Sequence, residues 1–380
     1  MSDTMLLLRK ESFGGTLFSL TSAKRDYVTE QEFANIAKNH MLPDNLAREF
    51  GENGYVHVKN ISNNVALGHF TFPDTLYLEV TRACNLKCVH CFNDSGKRLR
   101  RELSHPQKLN LINNFAQLGG QEIRFTGGEP MQYKRIHELI ASASTQPVRV
   151  SIGTNATLIT LDRAKCLQDS GLSQAVVSID GMSQTHNKLR GHRAWQRSVT
   201  GIRFLQKCGI FVRINITAMQ DNFKEIPEVV RYFHDIGVHI FVRRLLPIGR
   251  ARHNQRMFLT SSDYEWLTNK LYSYLYESHS KVSGHYMHMP TATPRIALPF
   301  KRLSCSIAQR GLVIDPFGNI QLCGFMDRYK TGFVANVRNE SLDSIWSRIT
   351  YNDPISWLNN GLRRHNTQAD ISTNCYACSA

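Results

Sequence analysis

No stretch of this 380-residue chain is apolar for long enough to cross a bilayer as a helix, so no transmembrane helix is expected. The first residues, Met1 to Lys10, lack the basic-then-apolar order and the cleavage site of a secretory signal. Both absences point to a cytoplasmic location, where thiols stay reduced and clustered cysteines more often hold metal than form disulfides. Acid is short as well: 31 Asp and Glu stand against 46 Lys and Arg, a formal net charge of +15. Such a surplus favours an acidic partner, although a solvated basic surface accounts for it equally well. The densest basic run, Lys97 to Arg101, has no interleaved aromatic residues on which bases would stack, so nucleic acid is not the expected partner. No tyrosine or cysteine stands out as a catalytic base or hydrogen donor. Apolar content is ordinary at 42%, and the length suffices for two or three globular domains.

Cysteine is not scarce. Of nine, seven fall into two ligand-like groups, while Cys166 and Cys208 stand alone inside helical patterns and are expected as small buried apolar residues. The first group is Cys84, Cys88 and Cys91, spaced C-x3-C-x2-C on a loop directly after the apolar run Thr75–Val80. A segment that short can wrap three sulfurs around one inorganic core. A saturated four-iron cluster takes four cysteine ligands. Three would leave one iron open, as a catalytic metal keeps a vacant position where a structural one does not. Zinc is the competing reading of close-set cysteines. About forty residues on, Thr126-Gly-Gly-Glu-Pro130 ends a second β-type run. Its two glycines would let a ligand approach the backbone and would free their N–H groups. The Glu129 carboxylate could accept a hydrogen bond from an ammonium group.

Together these motifs resemble the radical S-adenosylmethionine (radical SAM) superfamily. The resemblance implies a [4Fe–4S] cluster on the three cysteines, its open iron chelated by the amino and carboxylate groups of SAM. An electron then cleaves SAM to methionine and a 5′-deoxyadenosyl radical, which takes a hydrogen from substrate. A donor such as a flavodoxin or ferredoxin would supply the electron. Carried over residue by residue, His90 would pack near the adenine, and Gly127, Gly128 and Glu129 would bind the SAM amino group. Ser178 and Arg190 would hold the SAM carboxylate, which the planar fork of Arg suits. Asn155 would sit at the same rim, and Leu246, in the stretch Leu245–Arg250, against the adenine. Asp180 would be either a ribose ligand or a turn-former before Gly181.

Residues 73–250 repeat an apolar strand followed by a helix. Strands are expected at Leu76–Thr81, Glu122–Thr126, Val148–Gly153, Ala175–Ile179, Val212–Thr217 and His239–Leu245. Helices are expected at Pro106–Leu118, Lys134–Ala143, Leu161–Ser170, Trp195–Lys207 and Lys224–Ile236, several ending at Gly. This alternation implies an α/β fold with a parallel sheet and right-handed crossovers. Whether the sheet closes is left open by the pattern. The resemblance implies a partial (β/α)6 TIM-type barrel, whose chemistry would sit at the C-terminal strand ends. The motifs fall at those ends.

Residues 1–72 form a separate α+β extension in this reading. Two short strands flank a Phe13–Gly15 turn, and Thr29 caps a helix over Glu30–Asn39 with Glu32 three residues on. The order resembles the small winged-helix module that grips leader peptides in peptide-modifying enzymes; a packing extension of the main domain is the alternative. Residues 251–300 hold a helix, Ser261–Tyr276, and a Pro-rich linker in which His285 and His288 read as plain linker residues. Residues 301–380 carry the second cysteine group: Cys305, Cys323, Cys375 and Cys378. Gly311–Cys323 reads as a hairpin turning at Asp315–Gly318, and a helix lies near Leu342–Ile349. This arrangement resembles the short SPASM domain called twitch, which implies an auxiliary [4Fe–4S] cluster saturated by four thiolates. A zinc ribbon is the competing reading. No cysteine lies between Cys323 and Cys375, so a second auxiliary cluster is not expected.

The expectation is thus a radical SAM enzyme with one catalytic and one auxiliary cluster, acting on a peptide that carries an acidic leader. A small-molecule radical dehydrogenase or epimerase is the first alternative. A zinc-bound nucleic-acid binder is the non-enzymatic one.

Overall fold

In the computed structural model, residues 5–50, 55–61, 63, 65, 70–278, 282–284, 310–321 and 333–351 are described. Cys305, Cys323, Cys375 and Cys378, and the linker residues His285 and His288, lie outside them.

The N-terminal extension builds its own sheet. Strands β1 (Leu6–Glu11), β2 (Gly14–Ser19), β3 (Arg25–Val28) and β4 (Val56–Lys59) lie in the order β3-β2-β1-β4, with β1 and β4 parallel. Helices α1 (Glu30–Asn39) and α2 (Asp44–Phe50) come between β3 and β4. Leu6, Leu8, Leu17, Val28, Phe33 and Ile36 form a small core under α1. The α1 boundaries match the expectation because Thr29 and Glu32 make both halves of a capping box. Strands β3 and β4 and helix α2 add to the strand–strand–helix order read from sequence.

The next six strands follow the alternation. They are β5 (Thr75–Thr81), β6 (Glu122–Gly127), β7 (Arg149–Thr154), β8 (Gln174–Ser178), β9 (Phe211–Ala218) and β10 (His239–Arg244). They pair in chain order and all in parallel. Helices α3 (His105–Gln117), α4 (Ile136–Ser144), α5 (Leu161–Asp169), α6 (Ser183–Arg190), α7 (Ala194–Lys207) and α8 (Ile226–Asp235) fill the crossovers. Alternate strand residues such as Leu76, Leu78, Ile123, Phe125, Val150, Ile152, Ile214 and Val242 pack against the helices in one buried core. Side chains alternate across a strand, so the opposite face carries Tyr77, Arg124, Ser151, Arg213 and Arg243. Among the described residues β5 and β10 do not pair with each other, so the sheet stays open as the partial barrel requires.

Both open edges are extended. Strand β11 (Val282–Gly284), after helix α9 (Ser261–Ser278), adds in parallel to β10. Strand β12 (Gly311–Ile314) adds in parallel to β5, then turns back antiparallel through β13 (Asn319–Gln321) to β14 (Ala335–Asn336). The turn is held by Asp315, whose Oδ1 accepts from the N–H of Phe317 and of Asn319, each at 2.9 Å, while Gly318 takes a φ of +90°. Strands β12 to β14 are thus continuous with the main sheet. The last helix, α10 (Leu342–Tyr351), buries Trp346, whose indole N–H donates to the Phe70 carbonyl at 3.0 Å.

Cys208 is buried, as expected, but Cys166 is exposed. Helix α5 turns Ala164 and Leu167 inward, and a residue two places after Ala164 falls on the far side.

One buried carboxylate gathers the parts. Asp74 accepts from Arg9 of β1 at 2.9 Å and also faces Arg25 of β3 at 3.4 Å and Arg310 beside β12 at 3.2 Å. Burial pushes the Asp74 pKa up, but the three arginines outweigh it and hold it below the usual range. Its stabilising contribution is therefore complete at neutral pH and is lost only as pH falls below the ordinary carboxylate range. Asp74→Ala leaves Arg9 with Glu11 alone and takes the nearest carboxylate from Arg25 and Arg310, and unfolding in urea should show a loss of about 3–5 kcal/mol.

Candidate active site

Strand β5 runs straight into the cysteine loop. Its two ends are clipped together: the Cys84 N–H donates to Gly96 O at 2.7 Å, and the Gly96 N–H to Arg82 O at 3.0 Å. Inside the loop the Leu86 N–H points at Cys84 Sγ (3.4 Å) and the Ser95 N–H at Cys91 Sγ (3.4 Å). Arg190 Nη1 lies 3.8 Å from Cys88 Sγ. Leu86, Cys88 and Ala194 form an apolar patch against which Cys84 and Cys91 pack. Burial pushes the Cys84 thiol up to about 11 and raises Cys88 too, so a metal must displace protons on binding. Three soft sulfurs with one local donor each, in an apolar setting, fit an iron–sulfur cluster, whose thiolates are tuned by such hydrogen bonds.

The Gly-Gly-Glu segment at the end of β6 lies flat against this loop. The Gly128 N–H donates to Thr81 O and the Glu129 N–H to Ala83 O, both at 2.8 Å. A Cβ on Gly128 would lie 2.2 Å from Ala83 O, and one on Gly127, at φ +123°, 2.5 Å from Thr81 O. The glycines therefore serve backbone-to-backbone packing, and the Gly128 N–H is not free for a ligand as the sequence suggested. Glu129 is fully buried. Its Oε1 accepts from Thr154 Oγ1 (2.6 Å) and the Met131 N–H (3.1 Å), and its Oε2 from the Asn155 N–H (2.7 Å). Burial raises its pKa despite these donors. A carboxylate has about four acceptor positions, so one remains for a further donor. Asn155 in turn reaches Asn85 Oδ1 at 3.0 Å, tying the end of β7 to the cysteine loop.

Beyond β8, Asp180 is a junction. Its Oδ2 meets Arg190 Nε at 2.5 Å and His90 Nε2 at 2.9 Å, and its Oδ1 accepts from the Thr217 N–H at 2.9 Å. Burial works against its charge, yet Arg190 and His90 hold its pKa far below the usual range. Asp180 thereby orients His90 and the Arg190 that lies beside the Cys88 sulfur, a role that neither sequence reading of it named. Helix α6 carries Arg190 in on its last turn.

Ser178 ends β8 opposite Asn215, part-buried, and Leu246 follows β10, also part-buried. The stretch after β10 docks on the cysteine loop. The Arg250 N–H donates to Cys91 O at 3.0 Å, its Nε to Cys88 O at 2.7 Å, and its Nη1 to Asp94 Oδ1 at 2.8 Å. Arg250 was missed as a site residue. A Gly-Arg pair just beyond a barrel strand was the only available signal.

Residues 78–233 match the family described as the radical SAM superfamily. An AdoMet-dependent heme synthase from Oleidesulfovibrio alaskensis is 30% identical over 293 residues, 72% of this chain and 74% of that protein. The chain belongs to the radical SAM superfamily. Residues 305–379 match SPASM, described as an iron–sulfur cluster-binding domain. The cofactors of this radical SAM protein are therefore SAM and [4Fe–4S] clusters, one of them auxiliary. The sporulation killing factor maturation protein SkfB of Bacillus subtilis is 28% identical over 258 residues, 65% of this chain and 63% of that one. Streptococcus suis SuiB, solved with its precursor peptide SuiA, aligns with a TM-score of 0.71 at 19% identity, over 98% of this chain and 94% of its own. That likeness is one of fold.

Proposed function

We propose that this radical SAM enzyme modifies a peptide. The observation that carries the reading is the extent of the SuiB likeness, which at 98% of the chain takes in the N-terminal α+β module as well as the barrel. SuiB was solved with a precursor peptide, and SkfB is named a maturation protein. The surplus of positive charge suits an acidic leader. In this reading residues 1–72 bind the leader, residues 73–250 carry the chemistry, 251–300 link, and 301–380 hold the auxiliary cluster through Cys305, Cys323, Cys375 and Cys378. The enzyme works in the cytoplasm, reduced by a flavodoxin or ferredoxin.

Bound together, the cluster and SAM supply a carbon-centred radical able to take one hydrogen atom from substrate. The chain's part is holding and aiming. Cys84, Cys88 and Cys91 hold the catalytic cluster. Glu129 offers its remaining acceptor position to the SAM ammonium, beside Gly127, Gly128 and Asn155. Arg190, steered by Asp180, and Ser178 face the SAM carboxylate, while His90 and Leu246 flank the adenine. The cysteine loop is kept shut by Arg250.

A second reading is favoured by the 30% identity to a heme synthase, which would make the substrate a porphyrin. The test is anaerobic reconstitution with SAM and dithionite, offering in parallel the product of a short reading frame beside the gene and a porphyrin precursor of heme. A mass change on the peptide, with substrate deuterium recovered in 5′-deoxyadenosine, is the expected result. Turnover of the porphyrin with an unchanged peptide would replace the first reading by the second.

A further inference from the structure

A concavity lies at the other end of the sheet from the cysteine loop. The N-terminal ends of β6 to β10 and the β2–β3 turn enclose a pocket of about 300 Å³. Its lining includes Arg124, Arg149 and Arg213, one acid, Glu122, and Ser22 and Ala23 from the N-terminal module. Three guanidinium groups thus face a single carboxylate.

That carboxylate is already taken. Glu122 Oε1 lies 2.8 Å from Arg124 Nη2, 2.9 Å from Ser151 Oγ and 3.9 Å from Arg149 Nη1. Arg149 has one further partner, Gln174 Oε1 at 2.9 Å, and its Nε is buried without any. Arg213 makes no ion pair among the described residues and feels Glu122 only at longer range: its guanidinium sits 5.5 Å from the Phe241 ring centre, and its buried Nε is unpartnered. Arg124 is a like-charged neighbour, and burial followed by that repulsion pushes the Arg213 pKa down to about 10. Gathering like charges in a concave, low-dielectric site costs free energy unless an anion joins them. Planar forks match carboxylate and phosphate oxygens in pairs. The volume is at the small end for ligand sites.

We propose that this pocket is an anion site for a compact oxyanion with two or more negative charges, held by Arg213, Arg149 and Arg124. Because the β2–β3 turn forms one wall, the bound anion joins the N-terminal module to the floor of the barrel. The site is independent of the radical chemistry at the opposite strand ends. The same oxyanion chemistry can come from a free dianion or from carboxylates on a peptide.

The test uses the full-length reconstituted protein. Arginine modification by phenylglyoxal is followed by mass spectrometry with citrate, inorganic phosphate or a hexaglutamate peptide, each against chloride at equal ionic strength. At a probe concentration about ten times its dissociation constant, modification of Arg213 and Arg149 should slow about tenfold. The melting temperature should rise with the same probe, and Arg213→Gln should remove the rise. The probe that protects at the lowest concentration names the source. Equal modification under every probe and chloride overturns the proposal, as does a melting shift that survives in Arg213→Gln. If that variant does not fold, the protection measured on the unaltered protein decides alone. SAM cleavage by Arg213→Gln should be unchanged, so a failure of the radical assignment would appear separately.

Discussion

Cys88→Ala should reduce 5′-deoxyadenosine formation from SAM and dithionite to background while leaving the circular dichroism spectrum and the auxiliary iron in place. The reasoning starts from ligand number. Three thiolates are the fewest that hold a four-iron core with one iron open, and the alanine leaves two. Cys88 is the most buried of the three, at 8% exposure, and Arg190 Nη1 lies 3.8 Å from its sulfur. A water entering in its place would bring no anionic ligand to balance the guanidinium. The fold should persist because Cys88 belongs to a small patch with Leu86 and Ala194, apart from the main core and the N-terminal core. Iron should fall by the share of one cluster. Undiminished 5′-deoxyadenosine from this variant would mean that the loop does not carry the catalytic cluster.

The six core strands were legible because two signals coincide. Residues such as Leu76, Leu78 and Val80 alternate at a strand's period, and the helices between strands end where the chain reaches residues such as Gly119 and Gly209. The cysteine loop and the Gly-Gly-Glu segment were legible as motifs, though the purpose of the glycines was not. Thr81 O and Ala83 O, which fill the space beside them, belong to the end of β5 and the start of the cysteine loop. The same limit hid Asp180. Its partners arrive from the loop at His90, from helix α6 at Arg190 and from β9 at Thr217, and no spacing in the chain announces such a meeting. Helix α6 itself has only His186 and Leu189 buried in eight residues, too little for a helical stripe. The pairing of β12 with β5 joins Val313 to Tyr77 across most of the chain. Neither strand's pattern distinguishes that neighbour from any other parallel partner.

Asp180→Asn should weaken SAM binding and SAM cleavage together, each about 10–100-fold, the usual cost of removing an outer partner of a ligand-bearing site. The substitution keeps the shape and leaves an oxygen for the Thr217 N–H. It cannot keep the charge that Arg190 meets at 2.5 Å, nor both acceptor oxygens that His90 and Arg190 now share with Thr217. Arg190 then has Cys88 Sγ at 3.8 Å and His90 as its remaining neighbours, and its fork is free to swing away from the rim. Asp180→Ala goes further, because it also removes the acceptor for Thr217 and should destabilise the chain by about 3–5 kcal/mol. Equilibrium dialysis of SAM against the anaerobic protein separates the two effects, with iron content measured beside it. In Asp180→Asn the iron should stay, since the three cysteines are intact, while the SAM affinity falls. A purely structural Asp180 would give a lowered melting temperature with unaltered SAM affinity in the folded fraction, and that result would remove it from the site.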